Sequence, residues 1–438
     1  MRKSGLWFLL ALVIGVLAFA AAGCGGDDDG DGGGVTALPA ASCGQIRYEG
    51  EGEPDFLIAS DLPLQGANRS LTTEMADAIE YILNERDWKA GDYNIGYQSC
   101  DDSTAQAGSW DSAKCSSNAR AYANNQDVIG VVGTFNSGCA KLEIPVANRA
   151  PDGPLAMVSP ANTYPGLTIG GPGTEAGEPD NYYPTGKRNY ARVVWNDQFQ
   201  GAAGAQLAEE LGLKHVYVLT DRETYGNGIA NLFVRYAKKL GIRTSPGQPQ
   251  AWDKAATSYE AIASRIQASG ADGIFLGGII CNNGGKLIKD LRAGVGPDVT
   301  IIGPDGWTPI TATVQGAGQA AEGMYITQPG IPPEELKGRG KEFVDGFTAQ
   351  KGRAPDPYTT YAAQAADILL DSIADSDGTR ASVSEQVTNR DVPDGLLGEF
   401  EIDENGDTTL GTVAVFTVKG GEGTYEKVIT PELSFVKG

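Results

Sequence analysis

Short apolar runs recur from residue 55 onward, and stretches of amphipathic character separate them. FLIAS (56–60), YNIGYQS (93–99), VIGVVG (128–133) and PLAMVS (154–159) each read as a strand. YARVVW (190–195), HVYVLT (215–220), GIFLGG (273–278) and VTIIG (299–303) continue the series. Between them the apolar positions move to helical spacing. Met75, Ile79, Ile82 and Leu83 fall on one face and predict a helix over 72–86. Further helices are predicted over 111–124, with Asp111 as N-cap, and over 202–211, 229–240, 259–269 and 285–293. Near-continuous apolar strands alternating with helices are the mark of parallel sheets covered on both faces.

So many strand–helix units exceed one open sheet, and the pattern predicts an α/β fold of two doubly wound lobes. A Gly/Pro-rich stretch at 164–189 separates the halves, as a surface excursion or part of a linker. Helices are predicted near 333–351 and 359–376. Two alternating runs then flank Asn405-Gly406, which is a hairpin signal. The DENGD there imitates the start of a calcium loop. Its glycine comes at the fourth place and Ala414 stands at the twelfth, so calcium is rejected.

The N-terminus has a different pattern. Arg2 and Lys3 precede an apolar run over 6–22, and Ala21-Ala22-Gly23-Cys24 follows. This resembles a bacterial lipobox, with Ala21 where leucine is usual. It implies a lipoprotein signal peptide over 1–23, lipidation of Cys24 and export to the outer face of the cytoplasmic membrane or the periplasm. The Gly/Asp-rich text after Cys24 buries nothing, and a flexible tether is expected over 24–53. Beyond Cys24 the chain has Cys43, Cys100, Cys115, Cys139 and Cys281. In an exported protein these suggest two bridges and one free thiol. Cys100 and Cys139 both follow apolar strand-like runs and are the pair expected to lie close together, although spacing alone leaves the pairing open.

Several functions are disfavoured by composition. The chain carries 34 basic and 56 acidic residues, a formal charge of −22, which repels nucleic acid. Its one histidine, His215, opens a strand and removes the usual base and metal ligand. No phosphate-binding loop, nucleophile elbow, CxxC or HExxH occurs. No metal and no cofactor are expected, and a secreted hydrolase would lack a nucleophile–base pair.

The strand ends are where polar chemistry gathers. VIGVVG runs into Thr134-Phe135-Asn136-Ser137, and LAMV into Ser159-Pro160-Ala161-Asn162-Thr163. HVYVLT leads to Tyr225, IFLGG to Ile279-Ile280, and TIIG to Asp305-Gly306-Trp307. Open parallel sheets bind ligands beyond the carboxyl ends of their strands. Ser137, Asn162 and Thr163 are good N-cap types and anion binders; Asp305 supplies the opposite charge, with Tyr225 and Trp307 as aromatic walls.

From about 54 to 420 the sequence resembles the type I periplasmic binding proteins, in particular the leucine/isoleucine/valine-binding receptors. The resemblance rests on SPANTYPGLT, DRETYGNGIA, IIGPDGWTPITATVQGAGQAAEGMYITQPG and GEFEIDENGD, in that order. It implies a non-catalytic substrate-binding protein of an ABC transporter that gives a small amino acid or related amide to a permease with its ATPase. A ligand-sensing lipoprotein that signals to a membrane receptor or kinase is the alternative. It also implies that Ser137, Ala161 and Thr163 hold the ligand carboxylate, Asp305 the ammonium, and Tyr225 and Ile280 the pocket wall. Asp305 stands in place of the usual glutamate, Asn162 in place of a small apolar residue, and Ile279 and Ile280 where an aromatic often lies. The lobes implied are 54–195 plus 328–398 and 196–327 plus 399–438, in a monomer.

Overall fold

The computed structural model describes residues 34–437. The signal segment expected at 1–23, Cys24 and the first part of the tether lie outside the described residues. Two sheets carry the fold. The first contains β1 (Phe56–Leu62), β2 (Lys89–Ala90), β3 (Tyr93–Asp101), β4 (Val128–Gly133), β5 (Ala156–Ser159) and β6 (Tyr190–Arg192), in the order β2-β3-β1-β4-β5-β6. All pairings are parallel except β2 with β3. The helices α1 (Arg69–Glu85), α2 (Ser112–Asn124) and α3 (Ser137–Asn148) connect them. Asp111 caps α2 as expected, accepting from the amides of Ala113 and Lys114.

The second sheet is built from β7 (His215–Thr220), β8 (Arg243–Ala251), β9 (Gly273–Gly277), β10 (Thr300–Gly303) and β11 (Tyr325–Pro329). Two later strands finish its edge. A separate hairpin, β12 (Arg390–Gly395) with β13 (Gly398–Ile402), comes first in the chain, then β14 (Val413–Lys419) and β15 (Glu422–Ile429). The order is β8-β7-β9-β10-β11-β14-β15, antiparallel only from β11 outward. Its crossover helices are α4 (Asp197–Glu210), α5 (Thr224–Lys239), α6 (Glu260–Ser269), α7 (Gly284–Val295) and α8 (Ile310–Ala317). The helices α9 (Arg339–Lys351) and α10 (Pro357–Ala374) return to the first lobe, where Phe343, Phe347 and Leu369 join its core.

Neighbouring strand residues face opposite sides, which is why the strands are apolar without interruption. In β1, Ile58 packs toward α1 and α10 and Leu57 toward α2 and α3. In β9, Phe275 packs toward α4 and α5 and Ile274 toward α6 and α7. Among the described residues no helix is long and apolar enough to cross a membrane.

Four features differ from the sequence expectations. Residues 34–53 are not a loose spacer. Leu38 and Cys43 are buried, Gly44 and Arg47 donate to the carbonyls of Ser99 and Tyr97, and a Cys43–Cys100 disulfide fixes the segment along the edge of β3. The expected Cys100–Cys139 proximity is replaced by two bridges, Cys43–Cys100 and Cys115–Cys139, with Cys281 free. Cys100 faces this edge segment, whereas Cys139, in the first turn of α3, faces α2. The Gly/Pro-rich segment is packed: Tyr164, Leu167, Tyr182 and Tyr183 are buried in the first lobe.

The runs flanking Asn405-Gly406 pair with each other only beside the turn, through an antiparallel bridge of Ile402 with Thr408 and the Thr409 amide on the Glu401 carbonyl at 2.9 Å, and then part. The first pairs with β12 and the second with β11, so the turn lies on a crossing between lobes. Phe400 and Ile402 therefore belong to the first core rather than the second. Asp407 in that turn forms an ion pair with fully buried Arg192, 2.7 Å apart, which ties two crossing segments together.

Candidate ligand-binding site

The loops after β4 and β5 face those after β7, β9 and β10 across the boundary between lobes. Together they enclose a cavity of about 30 Å³ lined by residues including Ser137, Ala161, Thr163, Tyr225 and Asp305. These are five of the residues expected from sequence. Phe135, Asn136, Ile279, Gly306 and Tyr358 complete the lining.

Asp305 follows β10 and is nearly buried. Tyr225, in the first turn of α5, donates to Asp305 Oδ1 at 2.6 Å and accepts from the amide of Gly306 at 3.0 Å. Tyr358, in the first turn of α10, donates to Asp305 Oδ2 at 2.5 Å from the other lobe. Burial raises the Asp305 pKa, against these two hydroxyls, which lower it. The same burial and the Asp305 charge push both phenols well above their ordinary range, so they act as donors.

Asp197, the first residue of α4, is a second carboxylate nearby. It is fully buried, and its pKa is raised well above the carboxylate range by burial and then by the charge of Asp305. Its amide donates to the Thr163 carbonyl at 2.7 Å, which joins the start of α4 to the anion side of the cavity. On that side the Ser137 hydroxyl accepts from the Tyr164 amide at 3.3 Å. The Ser159 hydroxyl accepts from the amides of Ala161 and Asn162, which shapes the turn.

Three residues expected at the site stand behind it. Asn162 is fully buried; its side chain donates to the Phe135 carbonyl at 3.0 Å and accepts from Tyr190 at 3.1 Å. It braces the loops without lining the cavity. Trp307 points into the second core, donating to the Leu276 carbonyl at 2.7 Å. Ile280 packs in the same core, and its neighbour Ile279 takes the wall position. Nor do Asn162 and Thr163 cap a helix, since a short 3₁₀ turn over Pro165–Leu167 follows them.

Residues 58–423 match the family profile described as periplasmic binding protein. The chain belongs to the periplasmic binding proteins. Among curated relatives of this binding protein is the leucine-, isoleucine-, valine-, threonine- and alanine-binding protein of Pseudomonas aeruginosa, 26% identical over 296 residues, covering 66% of this chain and 72% of the relative. The Leu/Ile/Val-binding protein of Escherichia coli is 23% identical over 371 residues, 80% of this chain and 92% of its own. A crystal structure of a leucine-binding protein from Thermotoga maritima superposes with a TM-score of 0.73 at 24% identity, covering 86% of this chain and 99% of that one. The binding protein thus has the two-lobed α/β fold of type I receptors, at a similarity that fixes architecture more firmly than ligand.

Proposed function

We propose that this binding protein captures a small zwitterionic amino acid, or a related amide, and delivers it to an ABC permease without chemical change. The observation that carries the reading is the arrangement of charge around one cavity. Hydroxyls of Ser137 and Thr163 and the turn at Ala161 come from the first lobe, and Asp305 with Tyr225 from the second. A carboxylate suits the first set and an ammonium the second. Neither lobe alone satisfies both, so such a ligand favours the state in which the lobes meet.

Asp305→Asn removes a charged acceptor from a nearly dry site. A charge-assisted hydrogen bond there is worth roughly 1.5–3 kcal/mol, about 10- to 150-fold in affinity. The test begins with native mass spectrometry to identify the molecule carried by gently purified protein. Calorimetry of wild type and Asp305→Asn with that molecule follows. A loss in this range with near-normal melting is expected; unchanged affinity contradicts the assignment.

The reading includes a lipid anchor at Cys24, with the receptor at the outer face of the cytoplasmic membrane. It is supported by the apolar run over 6–22 and the small residues before that cysteine. Cys24→Ser should leave the protein folded and shift it from washed membranes to the soluble exported fraction. A cleaved mutant that stays in the membrane contradicts lipidation.

A further inference from the structure

The cavity between the lobes leaves little room beside the charged ends of a ligand. Its volume of about 30 Å³ holds roughly two or three waters. Glycine fills about that much space. Every carbon added to a side chain takes nearly one water's share of liquid, about 30 Å³, so leucine needs room for about four waters more.

Three large side chains set this size, and each is held in place. Tyr358 comes from the first lobe; its ring is buried and its hydroxyl ends on Asp305 Oδ2. Its backbone is fixed as well. Asp356 accepts from the Tyr358 amide at 3.1 Å, and buried Glu74 of α1 accepts from the Asp356 amide at 2.9 Å and the Thr359 hydroxyl at 2.8 Å. Phe135 packs edge-on against the Tyr358 ring, with centroids 5.8 Å apart, and Asn162 holds the Phe135 carbonyl at 3.0 Å. From the second lobe comes Ile279, buried, with its amide on Asp221 Oδ2 at 3.0 Å. The backbone between them is equally close-packed. A methyl group on Gly306 would lie 2.3 Å from the Gly278 carbonyl oxygen and 2.7 Å from the Tyr225 ring.

With these walls fixed, room for a larger side chain comes from holding the lobes apart. That separates Tyr358 from Asp305 and Asn68 from the Thr308 carbonyl, two hydrogen bonds that cross the boundary. The first is to a carboxylate and belongs to the stronger kind. A ligand with a small side chain keeps both bonds, and one with a large side chain forfeits them. Closure itself therefore discriminates by size.

We propose that the ligand is an α-amino acid, or its amide, whose side chain is no larger than a hydroxymethyl group, and that Phe135, Ile279 and Tyr358 set this limit. The inference rests on the zwitterion reading of the same cavity and adds the size class to it. Glycine, alanine and serine fit; valine and leucine do not.

The test is calorimetry of the exhaustively dialysed full chain with glycine, L-alanine, L-serine, L-valine and L-leucine, and with glycinamide and leucinamide as the amide pair. The wild type is expected to bind alanine about 10- to 100-fold more tightly than leucine, the worth of the charge-assisted bond that leucine forfeits. Phe135→Ala and Ile279→Ala each enlarge the cavity and keep the Tyr358–Asp305 bond. Each should move the leucine-to-alanine affinity ratio toward leucine by about 10-fold, as expected for a pocket that gains room for several carbons. Leucine bound as tightly as alanine by the wild type overturns the size limit and leaves the zwitterion reading standing. An unchanged ratio in both variants, with cooperative melting of each, overturns the assignment of the limit to these side chains. Absence of binding by every member of the series overturns the zwitterion reading and the size limit with it.

Discussion

Asp221 stands at the end of β7 and holds the loops that carry the second-lobe side of the cavity. Its carboxylate accepts from the amides of Glu223 and Ile279 and from Asn282 Nδ2, at 2.9–3.0 Å. Burial pushes its pKa up to about 7, against those hydrogen bonds. Raised above the unfolded value, this group contributes stability at low pH that is lost as pH rises through about 7. His215 works in the other direction, its pKa lowered by burial, and its window lies below about 6.5. Between pH 6.5 and 8 the Asp221 share of stability should fall by about 0.8 kcal/mol, in the same direction as any loss from other buried carboxylates with raised pKa, such as Asp197. Denaturant titrations of wild type and Asp221→Asn check this: the slope should be reduced in the variant. Stability that rises over that interval in the wild type contradicts the assignment.

The same scale explains which site residues the sequence could reveal. Ser137, Ala161, Thr163, Tyr225 and Asp305 lie directly after apolar runs, where strand ends and resemblance agree. Ile279 and Ile280 both follow β9, and only the way the loop turns decides which faces the cavity. Trp307 was indistinguishable from a pocket aromatic until its indole was seen bonded to Leu276. Tyr358 and Asp197 come from helix starts distant in sequence, and no local pattern connects them to Asp305.

Among the elements, the segment 34–47 was the hardest to foresee. It has one deeply buried aliphatic side chain, Leu38, and otherwise attaches through backbone pairing with β3, through Cys43, and through side-chain bonds from Gln98, Lys114, Asn125 and Asp127 to its backbone. Such contacts leave no periodicity. They do close an exposed sheet edge, a place where unpaired strands invite association. The Cys43–Cys100 bridge spans 57 residues, for which the chain-entropy account gives about 4 kcal/mol. Replacing both cysteines by serine should lower the melting temperature and make the segment an early cleavage site in limited proteolysis. Protection equal to wild type would show that the noncovalent contacts hold it without the bridge. By contrast, the parallel strands were legible because burial on both faces demands long apolar runs. The turn at Asn405-Gly406 was legible as a turn, but its partners depended on which lobe each flank joins.

For the whole molecule, several hydrogen bonds join the lobes near the cavity. Tyr358 reaches Asp305, and Asn68, just before α1, donates to the Thr308 carbonyl at 3.2 Å. The Asn68 Oδ1 also accepts from the Cys281 thiol at 2.6 Å. That thiol is the free cysteine of the described residues, and burial pushes its pKa up to about 11. With the lobes together, little thiolate is present at pH 8 and Asn68 stands over the sulfur. Parting the lobes takes Asn68 away from the sulfur, although Cys281 stays packed against its own lobe, so alkylation by iodoacetamide should be faster in the open state and saturating ligand should slow it. Equal rates with and without ligand would mean that this face of the boundary does not open. The thiol can thus time each opening without any engineered label. It also makes the unloaded receptor the vulnerable form, because an adduct formed while open fills the place of Asn68. A molecule caught in that state cannot shut again, and chemical damage would accumulate fastest when the ligand is scarce.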